Sequence, residues 1–194
     1  MTHIGHSEKL LVMRIFIAVL VLIFSLQSLT KADDISEFEI EGMSIGDSAL
    51  DYFSKKDIKK NSRNYFKDKT YTPVQTYNYP FFKIYDGVDF SFKTTDKKFT
   101  IVRISGAIYY DNKVNECLIK QIQIIDEISL MLNKKKPKIY DRTFVGDTTG
   151  KSRHHQAVFW FDSGGAIDVS CYDYFDKVSN LDHLAVRVVK KEYV

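Results

Sequence analysis

The chain has 194 residues, and 44% of them are hydrophobic while 27% are charged. That length fits one domain or two very small ones, and that composition excludes a wholly disordered chain. The formal net charge is +3, and residues 1–32 hold three basic side chains against one acidic, so residues 33–194 are nearly neutral. Nucleic-acid binders concentrate basic residues on one face. We therefore expect no nucleic-acid partner.

An apolar run near the N-terminus has the three parts of a secretory signal. Arg14 precedes the run at 15–26, which only Ser25 interrupts, and the small residues Thr30 and Ala32 fit a cleavage site. The run is shorter than the roughly 20 apolar residues that a bilayer-spanning helix needs. We therefore predict cleavage after Ala32 and export to the periplasm or the medium.

The boundaries of this segment leave two alternatives. Met13 directly precedes Arg14 and gives a compact signal, so translation starts at Met1 or at Met13. The segment at 1–32 is either removed, which leaves a single domain over 33–194 with no stable membrane span, or retained as an N-terminal anchor. No cysteine lies at the end of the apolar run, which excludes a lipid on a processed N-terminal cysteine.

Residues 38–62 predict an entry strand followed by two short helices. Asp47 or Ser48 can cap the first helix and Ser54 the second, because their side chains accept hydrogen bonds from the free N–H groups of a first helical turn.

A short motif in this region carries a resemblance. The segment from Ile40 to Ser48 reads IEGMSIGDS and precedes an amphipathic turn. It resembles the strand, Gly-Met-Ser/Thr, helix entry of the small envelope modules related to BamE and to beta-lactamase inhibitor protein. The resemblance implies a helical segment paired with an antiparallel meander, in tandem in some members. The wider pattern from Asp33 onward resembles uncharacterised exported proteins of AT-rich marine bacteria, which implies a compartment and no activity.

Beyond a Tyr-rich segment at 61–80, the apolar pattern changes to period two. Val88, Phe90 and Phe92 alternate with polar residues, a turn follows, and 99–110 is predicted as a long strand.

Aromatic residues between positions 65 and 92 exceed what one sheet face can bury, so some of them must be exposed. They form either an ordinary amphipathic surface or a binding patch for an envelope protein or a glycan. Tyr77 and Tyr79 are the candidate binding residues.

The clearest helix is predicted at about 112–132, capped by Asp111 or Asn112. Residues 157–188 then alternate as a second meander around a Gly-rich hairpin turn. The predicted fold is α+β: an antiparallel meander sheet with the long helix and the short N-terminal helices packed on one face. The order of elements also fits two half-units, each with a helix before its strands.

Cys117 and Cys171 both occupy apolar-facing positions in this interpretation. In an oxidising compartment they form a disulfide, and otherwise they are two buried thiols.

Two motifs suggest chemistry. Residues 146–152 look like a phosphate-binding loop, but Val145 stands where that loop needs its first glycine, and an alternating strand follows instead of a helix. We predict a polar hairpin loop there. His154 and His155 are adjacent, and neighbours on a strand point to opposite faces.

The histidines leave two functions open. We favour a non-enzymatic binding or interaction module of the envelope, with no cofactor and no metal. The alternative is a small envelope hydrolase that uses His154, His155 or His183 with nearby carboxylates. The same three histidines are the weak candidates for a metal site.

Overall fold

The computed structural model describes residues 35–65, 69–111, 113–175 and 181–193. The predicted signal peptide at 1–32 and the helix cap proposed at Asn112 lie outside these ranges. The protein is α+β and mostly sheet, with a seven-stranded antiparallel sheet, a two-stranded sheet and two α-helices in the described part.

The entry segment folds back on itself before the first helix. Strands β1 (Glu39–Ile40) and β2 (Met43–Ser44) form a small antiparallel pair. A 3-10 turn at Ala49–Asp51 and helix α1 (Lys55–Asn61) follow.

The predicted serine caps of this segment are confirmed. The Ser48 side chain accepts from the backbone N–H of Leu50, and the Ser54 side chain accepts from that of Asp57. Each serine satisfies a donor that the first turn leaves free.

Seven strands build the main sheet in the order β3-β4-β5-β9-β8-β7-β6, and every neighbouring pair is antiparallel. The strands are β3 (Tyr71–Tyr77), β4 (Gly87–Lys93), β5 (Arg103–Tyr109), β6 (Lys138–Thr143), β7 (Arg153–Trp160), β8 (Ala166–Asp173) and β9 (His183–Val189). Strands β3 to β5 form one meander and β6 to β9 another. The two meanders join where β5 pairs with β9.

The strand predicted over 99–110 is shorter, because its first residues pair elsewhere. Phe99 has a φ of 56°, which breaks the extended backbone. The carbonyl oxygens of Phe99 and Ile101 accept from Ala49 and Gly46 of the entry segment. The strand that pairs with β4 and β9 begins at Arg103.

Helix α2 (Val114–Met131) matches the predicted long helix, but the cap at Asp111 is wrong. The N-cap residue is Lys113, which makes no side-chain capping bond. The backbone N–H of Lys113 instead donates to Tyr110 O at 2.6 Å, a turn that places Asp111 ahead of the capping position.

The helix is fixed to the sheet by a disulfide and by a buried amide. The sulfur atoms of Cys117 and Cys171 are 2.07 Å apart and bonded, which joins α2 to β8. Gln121 Nε2 donates to His155 O and to Val169 O, each at 2.9 Å.

Alternation along the strands separates the two faces of the sheet. One face carries apolar residues that pack with Ile58 of α1 and Ile128 of α2 in one buried cluster; its sheet members include Val74, Val88, Phe90, Ile104, Phe159, Val169, Leu184 and Val188. The residues between these apolar positions point to the opposite face of the sheet, which we name the open face. Among the described residues, no helix is long and apolar enough to cross a bilayer.

Candidate ligand-binding groove

The open face is ordered in rows that run across the strands. In each of β5, β9 and β8, successive open-face positions carry a polar, a small and an aromatic or imidazole residue. Strand register aligns these positions, so like residues lie side by side. The result is a trough with a floor and two walls, which we name the transverse groove.

The floor of the groove consists of small residues. Gly87 pairs with Ala107 and Ala107 with Ala185, so the floor crosses three strands. The row of small residues continues to Ser170 of β8, which is fully buried. Gly87 is required by a close approach, because a Cβ there would lie 2.8 Å from Cδ1 of Tyr77. At a strand spacing of about 4.8 Å, the floor is about 10 Å long.

One wall is aromatic. Tyr109 pairs with His183, His183 with Tyr172, and Tyr172 with His154. The His154 and Tyr172 rings stack with centroids 4.3 Å apart, and the Tyr172 and His183 rings stack at 4.6 Å. Tyr174, just beyond β8, stacks on His183 at 5.9 Å.

The opposite wall is polar. Asp89 pairs with Ser105, Ser105 with Arg187, and Arg187 with Asp168. Arg187 Nη1 donates to Asp168 Oδ2 at 2.9 Å, and Arg103 forms an ion pair with Asp89. The wall therefore holds charges that are matched within the protein.

Asp168 is held by three donors. Besides Arg187, it accepts from Gln156 Nε2 at 2.9 Å and from the Ser170 hydroxyl at 2.6 Å. Arg187 is less well satisfied, because its buried Nε finds no acceptor among the described residues. A buried donor without an acceptor costs free energy, and a ligand that accepts from it removes that cost.

A cavity of about 300 Å³ lies between the walls. It is lined by the floor at Gly87, Ala107 and Ala185, by parts of both walls, and by Gln75, Tyr77, Phe144 and Tyr174. That volume is at the lower end of the range for small-molecule sites.

Burial shifts the pKa values of ionisable side chains in the aromatic wall. It lowers the pKa of His154 and of His183, because the charged imidazolium loses hydration. It also raises the pKa of Tyr174 to about 12 and the pKa of Tyr109 above its usual range. Near neutral pH, the wall therefore presents uncharged imidazoles at His154 and His183 and protonated phenols at Tyr109 and Tyr174.

The three predicted histidines are divided between the two faces. His154 and His183 lie on the open face with Tyr172 between them. His155 lies on the opposite face, where its Nδ1 is 3.5 Å from Asp141 Oδ1. In the described part of the chain, no three His, Cys, Asp or Glu side chains come together to hold a metal ion.

The contact between His154 and Ser170 does not have the geometry of an activated nucleophile. The Ser170 hydroxyl donates its proton to Asp168, so its oxygen can only accept from His154 Nε2, 3.0 Å away. An activated serine donates to its histidine base instead. Ser170 is also fully buried.

The two predicted binding tyrosines occupy different places. Tyr77 lines the cavity and is 47% exposed. Tyr79 packs in an aromatic cluster with Phe53, Phe81 and Phe82. The described structure therefore brings only Tyr77 to the groove.

The segment at 146–152 forms the polar loop between β6 and β7, as predicted. Asp147 accepts from the Thr149 hydroxyl and from the backbone N–H groups of Ser152 and Thr149, and these bonds hold the pKa of its carboxyl well below the usual range. The strand β7 follows, whereas a phosphate-binding loop leads into a helix.

Comparisons with known proteins leave the groove to be interpreted from its own geometry. No protein-family model, no curated protein and no solved structure matches the chain. The resemblance of the entry segment to BamE-like modules stays a prediction.

Proposed function

We propose that the protein is a non-enzymatic binding module of the cell envelope that holds its ligand in the transverse groove. The observation that carries the proposal is the floor of the cavity, where three neighbouring strands place Gly87, Ala107 and Ala185 side by side. A face with a purely structural role has no need to keep polar and aromatic walls apart. Concave sites of this kind, with a few convergent polar groups, are the usual form of ligand sites.

Two features support a location in the cell envelope for this binding module. The apolar run at 15–26 and the cleavage pattern at Ala32 are typical of a secretory signal. The bond between Cys117 and Cys171 is typical of proteins outside the reducing cytosol. The groove also spans the junction of the two meanders, which favours an origin in two half-units.

The hydrolase alternative has less support. Its best candidate base is His183, whose Nδ1 lies 3.0 Å from the carbonyl oxygen of Leu181, which leaves Nε2 with a lone pair when the ring is neutral. The hydroxyl next to His154 is committed to Asp168, and Asp168 and Asp89 are both paired with arginines.

A thermal-shift experiment tests the binding proposal. The purified, oxidised protein is heated with neutral oligosaccharides, with short aromatic peptides, and with citrate or inorganic phosphate. A ligand at a hundred times its Kd adds about 2.7 kcal/mol to the free energy of unfolding. We therefore expect at least one class to raise Tm by about 5 °C or more.

Variants locate the effect. Ala107→Leu extends a side chain into the cavity and should abolish the rise in Tm. Tyr140→Ala is the matched control, because Tyr140 is on β6 of the same face, beside Arg142 and outside the cavity. A panel without any stabilising class, or equal stabilisation of Ala107→Leu, would overturn the proposal. Release of new reducing ends or new termini during incubation would favour the hydrolase.

A further inference from the structure

We infer that the transverse groove binds an uncharged saccharide, an inference that rests on the proposed binding function. It follows from four properties of the groove: its charge balance, its mixture of donors and acceptors, its aromatic wall and its direction across the strands.

The charges of the groove are already matched. Arg187 is paired with Asp168 and Arg103 with Asp89. An anionic ligand would have to compete with a carboxylate for each guanidinium, and a cationic ligand would have to compete with an arginine for each carboxylate. An uncharged ligand keeps both ion pairs and avoids the cost of leaving a buried charge without its partner.

The free hydrogen-bonding groups of the groove include both donors and an acceptor. Arg187 Nε is a donor without an acceptor in the described structure. Gln75 uses its oxygen to accept from Tyr65, so its NH2 group remains a donor at the cavity. His183 Nε2 is an acceptor when the ring is neutral. A sugar hydroxyl both donates and accepts, so adjacent hydroxyls can serve Gln75 and His183 directly. They can reach the buried Arg187 Nε when the guanidinium turns towards the cavity.

The aromatic residues complete the match to a sugar. The C–H groups on one side of a pyranose ring carry partial positive charge, and the face of an aromatic ring is negative. Tyr77 and Tyr109 line the cavity beside the floor, where the small side chains of Ala107 and Ala185 leave room for a ring. The Tyr77 ring itself covers Gly87. Tyrosine also offers a phenol to the hydroxyls at the edge of that ring.

The direction of the groove argues against an extended peptide. A peptide gains most from a sheet when it lies along an edge strand and extends the ladder of backbone hydrogen bonds. The groove crosses β4, β5, β9 and β8 on their face, where neighbouring strands already use one another's backbone groups. A peptide backbone there would lose hydration without finding a ladder, whereas a saccharide has no such ladder to satisfy.

Titration calorimetry with defined probes tests this inference. The oxidised protein is titrated with maltotriose, cellotriose and chitotriose, and in parallel with an aromatic tripeptide and with citrate. We expect saturable binding of at least one trisaccharide and weaker or no binding of the peptide and of citrate. Arg187→Lys keeps a charge for Asp168 but removes the Nε donor, and should weaken binding about tenfold, as the loss of one charge-assisted hydrogen bond does.

The control for that variant is Arg153→Lys, at the ion pair with Asp141 outside the cavity, which should bind like the parent protein. Because Arg187 is largely buried, Tyr77→Ala provides a second variant at the exposed rim, with Tyr140→Ala as its control. Tyr77→Ala should weaken trisaccharide binding about fivefold through lost ring contact.

The outcomes separate the inference from the binding proposal. Binding of citrate or the peptide in the groove, with none of the trisaccharides, overturns the saccharide inference and leaves the binding proposal standing. Trisaccharide binding that neither Arg187→Lys nor Tyr77→Ala weakens places the saccharide elsewhere and also overturns the inference. Absence of binding by every probe contradicts both.

Discussion

His154 and His183 of the aromatic wall make the stability of the protein depend on pH. Both stack on Tyr172, and burial lowers the pKa of each below the value near 6.5 that histidine has in an unfolded chain. Below that value the unfolded chain takes up protons that the folded protein does not. The free energy of unfolding therefore falls as pH falls through 6.5.

Urea denaturation at pH 7.5 and at pH 5.5 measures this effect. We expect lower stability at pH 5.5, and a smaller difference in a variant with His154→Gln and His183→Gln. Carboxylates with lowered pKa, such as Asp96 and Asp147, titrate below this window and do not contribute. Equal or greater stability at pH 5.5, or an unchanged difference in the double variant, would contradict the assignment.

The different positions of the Tyr77 and Tyr79 side chains show what a local sequence pattern cannot predict. The excess of aromatic residues between positions 65 and 92 made both tyrosines candidates for one binding patch. Asn78 has a φ of 55°, which ends β3 and breaks the alternation. Tyr79 consequently turns to the aromatic cluster around Phe53, while Tyr77 remains at the cavity.

At the scale of elements, the disulfide between α2 and β8 is the strongest single constraint. It closes a loop with a sequence separation of 54 between Cys117 and Cys171. The chain-entropy estimate for such a loop is about 4 kcal/mol of stability.

Reduction should lower the free energy of unfolding by about that amount. Urea denaturation of the protein with and without reductant measures the change. A variant with Cys117→Ala and Cys171→Ala is the control, because reductant should have no effect on it. Equal stability of the oxidised and reduced protein would show that the bond does not constrain the chain.

Elements with a strong period were predictable. The alternation at Val88, Phe90 and Phe92 and the helical stripe along α2 follow from burial of one face, and the α+β antiparallel class is confirmed. The pairing of β5 with β9 was not predictable, because no local pattern specifies a partner that far along the chain. The late start of the strand predicted over 99–110 was unpredictable for the same reason, since its first residues pair with the distant entry segment.

At the scale of the whole molecule, the groove exists only because the registers of three strand pairs agree. Each of β5, β9 and β8 carries its polar, small and ring-bearing residues in an unremarkable alternating segment. One shifted register would offset Ala107 from Ala185 or Ala185 from Ser170 and interrupt the row of small residues. The site was therefore missed along the sequence, although the recurrence of a small residue between a polar one and a ring in three strands was a usable signal.

The central claim is that the open face, rather than the helical face, is the functional surface. Amide chemical shifts of ¹⁵N-labelled protein, followed during titration with the trisaccharide that binds best, test it most directly. We predict that the largest changes fall on the floor at Gly87, Ala107 and Ala185, with little change at the exposed helix residues Ile119 and Ile122. Changes centred on α2 or on the edge strand β6, with the floor unaffected, would contradict the claim.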